Sequence, residues 1–109
     1  MITLQFKICY GSLEWRCKDK GFHRLYDKPA IKRFYVNGKV ASVKYLEYDI
    51  IHRTGERPAV LHFHSNGQVR VRAYYYGGLL HKKNGKPAYQ SWYASGQKCS
   101  EEYCENGTV

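Results

Sequence analysis

The sequence predicts an all-β protein. The expected form is an elongated, twisted antiparallel sheet of stacked β-hairpin repeats, three 29-residue units preceded by an N-terminal capping hairpin. Three observations lead there. One motif recurs twice at a fixed interval without a gap, Asn-Gly or Ser-Gly pairs separate apolar and aromatic runs, and eleven tyrosines bring the aromatic content to 16%. Asn and Gly tolerate positive φ, so such pairs between extended runs read as hairpin turns. An aromatic share of that size argues against a disordered chain.

The motif is His23-Arg24-Leu25-Tyr26-Asp27-Lys28-Pro29-Ala30. It returns as His52-Arg53-Thr54-Gly55-Glu56-Arg57-Pro58-Ala59 and as His81-Lys82-Lys83-Asn84-Gly85-Lys86-Pro87-Ala88. The units are therefore 23–51, 52–80 and 81–109, forming one continuous array. Further positions recur in the same register: Phe34, Phe63 and Trp92; Gly38, Gly67 and Gly96; Tyr45, Tyr74 and Tyr103.

Residues 1–22 read as a degenerate copy serving as the capping hairpin. Ile2, Leu4, Phe6 and Ile8 alternate, Tyr10-Gly11-Ser12 turns, and Leu13, Trp15 and Cys17 alternate again. Within each unit the proline is expected to open a strand, where a missing N–H is tolerable. In the second unit Ala59–His64 runs in, a two-residue turn at Asn66-Gly67 follows, and Gln68–Tyr76 runs out. Gly77-Gly78 then turns into the short strand Leu79-Leu80-His81. Residues 39–54 lack Gly and Pro and resemble an amphipathic helix locally. Their counterpart carries Val-Arg-Val-Arg and Gly-Gly, so register assigns them to strands as well. With Asn-Gly at the tip, Phe63 is expected opposite Arg70, and Ala30, Ala59 and Ala88 opposite Tyr45, Tyr74 and Tyr103. A small residue against a large ring fills a thin layer, and stacked units would form ladders of rings. The last unit has no visible cap, which invites self-association.

On these residues the chain resembles the MORN-repeat superfamily of β-hairpin arrays, in a variant with His-Arg-x-x-Gly-x-Pro-Ala followed by an aromatic pair and Asn-Gly. The resemblance rests on the three strings above, on Phe34-Tyr35 and Trp92-Tyr93, and on the hairpin glycines, and it covers residues 23–109. It implies an elongated sheet without a catalytic centre that acts as a scaffold, self-assembly or binding element, as in bacterial and large-DNA-virus proteins. Some members are associated with acidic phospholipids. The commonest unit of that superfamily is shorter and carries Gly-x-Gly, which this chain lacks.

Charge and chemistry set the functional expectations. Eighteen Lys and Arg against nine Asp and Glu leave a formal charge of +9, which favours anionic partners. The candidates for such contacts are Arg70 and Arg72, expected on one strand face with Tyr74 and Tyr76, together with Lys32, Arg33, Lys82 and Lys83. Arg and Tyr along one face suit phosphates and bases. The competing reading has the tyrosines packed inward and the Arg stems covering the rim.

His23, His52 and His81 recur with the unit and read as a structural slot. His62 and His64 share a strand side, but the sequence offers no third metal ligand near them. Cys9, Cys17, Cys99 and Cys104 form no C-x-x-C pair and read as reduced thiols. No phosphate loop, nucleophile motif or carboxylate pair stands out, so no enzyme, cofactor or metal is expected. No apolar run approaches the roughly 20 residues of a membrane span, and residues 1–10 alternate rather than form a signal peptide. The expectation is an intracellular, cytoplasmic protein, or one within a virion. It is expected to be a non-enzymatic structural and protein-interaction module that binds itself, as a homodimer or larger, or another protein. The alternative is a basic module binding nucleic acid, or acidic lipid, without sequence preference.

Overall fold

The structure, a computed structural model, describes residues 4–9, 11–17, 21–22, 24, 27–55, 57–82, 85–105 and 107, with the side chains of 4–9, 16–17 and 22 outside that description. His23, Lys83, Tyr10, Asn84, Asn106 and the side chains of Cys9 and Cys17 therefore lie outside the described residues.

The chain is all-β. Its elements are β1 (Leu4–Cys9), β2 (Ser12–Cys17), β3 (Gly21–Phe22), β4 (Ile31–Phe34), β5 (Val40–Lys44), β6 (Leu46–Glu47), β7 (Ile50–Ile51), β8 (Val60–Phe63), β9 (Val69–Ala73), β10 (Tyr75–Tyr76), β11 (Leu79–Leu80), β12 (Tyr89–Trp92) and β13 (Lys98–Glu102). The main sheet is antiparallel throughout and runs β1-β2-β4-β5-β8-β9-β12-β13, with β3 also paired to β2. Two small hairpins, β6-β7 and β10-β11, follow β5 and β9. Residues 39–54 are strands and turns, as the register argument requires. Among the described residues no helix is long and apolar enough to cross a membrane.

The two kinds of turn exchange the roles expected of them. Tyr35, His64 and Tyr93 each donate their N–H to the carbonyl four residues on (Lys39, Gln68, Gln97). Gly38, Gly67 and Gly96 donate back to the same three residues. These are three-residue loops with glycine alone at positive φ, at 86°, 91° and 94°. Asn37 and Asn66 stay outside that region. Their Oδ1 atoms instead accept the N–H two residues on, at 2.9 Å in both loops. The asparagine is thus a hydrogen-bond acceptor for the turn rather than a left-handed residue. The two-residue turns lie in the small hairpins, where Tyr48-Asp49 and Gly77-Gly78 all have positive φ.

The longer loop changes the register beside it. Phe63 pairs with Val69 rather than Arg70, because an extra residue is taken up between Val69 and Val71, and the other two hairpins carry the same shift. Away from the loop the register is the expected one. Val60 pairs with Ala73, so continuing the ladder sets Ala59 beside Tyr74. The strands begin at Ile31, Val60 and Tyr89, two residues after each proline rather than on it, and the outgoing strand breaks at Tyr74.

Between hairpins Trp15 bonds to Ala30, Tyr45 to Ala59 and Tyr74 to Ala88, each through an N–H to carbonyl bond of 2.8 Å. One row across the sheet thus reads Trp15, Ala30, Tyr45, Ala59, Tyr74, Ala88, Tyr103. The three alanines are fully buried at 0% exposure. Among the described residues the remaining core is slight: Ile31, Leu46, Val60, Val71, Ala73 and Cys104, with no large side chain fully enclosed. Extents of 40 × 35 × 18 Å and a radius of gyration of 14.6 Å, against about 13 Å for a compact chain of this length, describe a slab.

Replacing Ala59 by Leu should overpack this layer and cost about 1–3 kcal/mol, read as a lower urea midpoint at unchanged m-value. Gly67→Ala has no atom within 4 Å of the new Cβ, so its cost is conformational alone, about 1–2 kcal/mol.

Candidate functional site

Rings in so thin a slab need cover, and cations supply it. Arg24 lies over Trp15 at 3.7 Å from the ring centroid, Arg53 over Tyr45 at 3.8 Å, and Lys82 over Tyr74 at 4.3 Å. These are the basic residues that follow each motif histidine. The ladder is therefore mixed, with rings spaced by alanines and capped by cations, in place of rings stacked on one another. Arg24 and Arg53 also reach the proline carbonyls of their own units, Pro29 at 3.4 Å and Pro58 at 3.0 Å. Arg53 further bonds Asp27 at 2.9 Å, and Arg57 pairs with the same carboxylate. The Arg53 hydrogen bond, aided by the charges of Arg53 and Arg57, holds the Asp27 carboxyl below its ordinary range.

The histidines serve the same framework. The Gly77 N–H donates to His52 Nδ1 at 2.8 Å, and the His52 ring tilts against Tyr76 at 4.6 Å. Tyr76 in turn lies 6.2 Å from His81. At the loop end, His64 Nε2 meets the Trp92 carbonyl at 2.8 Å, and Asn66 donates to the Ala94 carbonyl at 3.0 Å. Loops of neighbouring hairpins are tied side chain to backbone.

The residues expected to contact an anionic partner divide between the two sides of the sheet, with Lys32 and Arg72 in one row and Arg33 on the other side. Lys82 is buried at 9% exposure on Tyr74. Arg72 donates to Gln90 Oε1 at 2.9 and 3.2 Å and lies 5.1 Å from Trp92. Lys32 stands over Phe34 at 5.7 Å. Arg72 continues onto Tyr74 on one side of the strand, but Arg70 and Tyr76 do not belong to that alternation. The bulge at Arg70 interrupts the alternation, and Tyr76 belongs to the small β10-β11 hairpin.

A different set comes together. Arg33 pairs with Ser42 and Ser42 with His62, so the three share one side of the sheet in a single row. Lys44, two residues along β5 from Ser42, points to that side as well. Arg70 is the extra residue opposite His62 and Phe63. Arg33 and Arg70 are exposed, His62 and Lys44 half-buried, Ser42 buried. Among the described residues none of these three cations enters an ion pair. Burial, followed by the charges of Arg70, Lys44 and Arg33, holds the His62 imidazole below its ordinary range. Lys44 escaped the sequence reading, and His62 entered it only with His64 as a metal ligand, because the two are partners only through register. The available signal was their two-residue spacing from Ser42 and from Val60, once β5 is laid beside β8.

A second surface is apolar. The small hairpins leave Tyr48, Ile50, Tyr76 and Leu79 exposed, Ile50 at 49% and Leu79 at 50%. They join edge to edge through Gly78 N–H to Ile51 O at 2.9 Å, and Gly107 N–H to Leu80 O extends the row at 2.9 Å. Glu47 and Asp49 flank this ridge, and neither 45–52 nor 74–81 contains Lys or Arg. Among the described residues no three His, Cys, Asp or Glu side chains group as metal ligands would. No protein-family model, curated protein or solved structure matches the chain.

Arg53→Met should cost about 2–3 kcal/mol in urea unfolding, since it removes a stacked cation with a 13% exposed side chain and a charged bond to Pro58. His62 gives a pH dependence of definite sign. The unfolded chain takes the proton more readily, so this contribution is complete above the ordinary imidazole pKa of about 6.5. It is lost as pH falls toward the lowered folded value. The thermal midpoint should drop on acidification, and His62→Gln should lessen that drop.

Proposed function

We propose that this chain is a non-enzymatic, MORN-like hairpin-repeat protein, a structural and protein-interaction module that associates with a second copy of itself. The observation that carries this reading is the apolar ridge of Ile50 and Leu79, flanked by Tyr48 and Tyr76, on the small hairpins. Ile50 and Leu79 occupy equivalent positions of successive units, 29 residues apart, and the backbone bond from Gly78 N–H to Ile51 O links the two hairpins. A ridge built this way is rigid before it meets a partner, which lowers the ordering cost of association.

Charge favours a second copy as the occupant. The chain carries +9 overall, so two copies repel through most of their surfaces. The ridge segments 45–52 and 74–81 contain no Lys or Arg, and the first bears Glu47 and Asp49. Two copies can meet there with apolar area buried and cations kept apart, or with those carboxylates facing a neighbour's basic sheet.

Sedimentation equilibrium across the micromolar range should give a dimer or larger species. Ile50→Ser combined with Leu79→Ser should return it to a 12.8 kDa monomer without loss of the β-sheet circular dichroism. A wild-type protein that sediments only as monomer overturns the reading.

A further inference from the structure

We propose that Arg33, Lys44 and Arg70, grouped around His62 on one side of the main sheet, bind consecutive phosphates of a nucleic-acid strand, and that His62 takes up a proton when they do. The proposal uses a surface separate from the apolar ridge and stands independently of self-association.

Three features of the group point to a phosphate ligand. First, its cations are unspent. Arg24, Arg53 and Lys82 lie on rings and Arg72 is held by Gln90, whereas Arg33, Lys44 and Arg70 enter no ion pair among the described residues. Second, they are distributed as a track. Arg33 stands on β4, Lys44 on β5, His62 on β8 and Arg70 on β9, four adjacent strands spaced about 4.8 Å apart. That spacing spreads the positive groups over about 14 Å across the strands, with Lys44 offset by two residues along β5, long enough for several phosphates and too long for a single small anion. Third, the bulge that takes up Arg70 supplies a charge that strict alternation would have given to the opposite side.

The surroundings select nucleic acid over a membrane. A lipid surface is held by apolar side chains inserted beneath the headgroups as well as by cations. Among the described residues the exposed large apolar side chains are Val36, Tyr48, Ile50, Tyr76, Leu79, Tyr93 and Tyr103; none belongs to the strand segments that carry these cations, and the one on an adjoining loop is the single side chain Val36. A charged strip whose own strands expose no large apolar side chain fits a phosphate backbone.

Proton uptake follows from what faces His62. Its neighbour β5 presents Lys44 and Ser42, and β9 presents Arg70 and Val71. Arg33 lies one strand further on β4. On β12 the row continues with Ser91, and the carboxylates reached by following the sheet are Glu14 on β2, which borders Arg33 three strands from His62, and Glu102 on β13, also three strands from His62. His64, next but one on the chain, is committed to the Trp92 carbonyl. His62 is thus surrounded by cations with no adjacent carboxylate, and a phosphate placed among them supplies the missing negative charge.

The test is fluorescence anisotropy of a labelled thymidine homo-oligonucleotide against the wild-type protein, with salt varied at about pH 8 and about pH 5.5. Each phosphate neutralised on a single strand contributes about −0.7 to the slope of log K against log salt. Three contacts give a slope of about −2 at the higher pH, and a charged His62 steepens it to about −3 at the lower one. His62→Asn should keep the first slope and abolish the change with pH. Arg33→Gln with Arg70→Gln, both at exposed positions and checked by thermal midpoint for an intact fold, should reduce the slope by about 1.4. Ile50→Ser with Leu79→Ser should bind as the wild type does, so loss of self-association leaves this measurement intact. An unchanged slope in the double Arg variant overturns the site, as does a pH response that persists in His62→Asn. Tighter retention on phosphatidylserine vesicles that the oligonucleotide does not compete away would replace nucleic acid with a membrane and equally overturns the proposal.

Discussion

A single sheet with short loops has too little material to enclose aromatic rings, and this constraint governs the molecule. Eleven tyrosines cannot be buried in a slab 18 Å thick. The fold keeps its rings half-buried, separates them with fully enclosed alanines, and closes the row with a cation over Trp15, Tyr45 and Tyr74. Each guanidinium also holds the carbonyl of the proline that leads into the next strand. One side chain therefore fixes three things at once: the cover of a ring, the path of the connector and the entry to the following hairpin. Alanine follows from the same geometry. The residue after each proline has no exposed surface, which leaves a larger side chain no room there.

The formal charge takes on a different meaning in this light. A surplus of nine positive charges reads as an anion-seeking surface when the residues are only counted. In the fold, several of those charges are structural. Arg24, Arg53 and Lys82 cap rings, Arg53 and Arg57 share Asp27, and Lys98 pairs with Glu101. Lys82 shows the point best, because it sits beside Lys83 in an exposed-looking basic pair and is among the most buried polar residues described. Among the described cations outside ion pairs and ring contacts, Arg33, Lys44 and Arg70 gather around His62, a grouping that composition could not single out.

The interval and the strand order were legible because both are written in recurring residues. Pro-Ala, the loop glycine and the ring sixteen positions after proline mark the same places in every unit, and register overrode the helical appearance of residues 39–54. The pairing of Ala59 with Tyr74 followed, since it lies at the end of the hairpin away from the loop. Details near the loop were not legible. Asn-Gly permits both two-residue and three-residue turns, and the choice depends on whether Asn66 adopts positive φ or uses its side chain to accept the Gln68 N–H. The fold takes the second course, the extra residue is absorbed at Arg70, and the expected Arg70–Arg72 face is lost. Nor does any sequence pattern say that the basic residue after the motif histidine lies on a ring of the preceding strand, because that contact joins residues related only through the folded connector.

The same device also separates the chemistry of the two ends of the slab. Cations drawn onto the rings leave the small hairpins free of Lys and Arg, with Ile50 and Leu79 exposed and Glu47 and Asp49 beside them. Toward the three-residue loops, backbone and side-chain bonds from His64 and Asn66 tie one loop to the next, and the unpaired Arg33 and Arg70 lie close behind. Each step of 29 residues repeats the framework but not the surface: Arg33 is followed by His62 and then Ser91, while Lys44 is followed by Ala73 and Glu102. A framework held by main-chain bonds, buried alanine and capped rings constrains few outward positions, so successive units are free to differ where a partner would touch them. Repetition here specifies the scaffold, and the departures from repetition carry whatever the surface recognises.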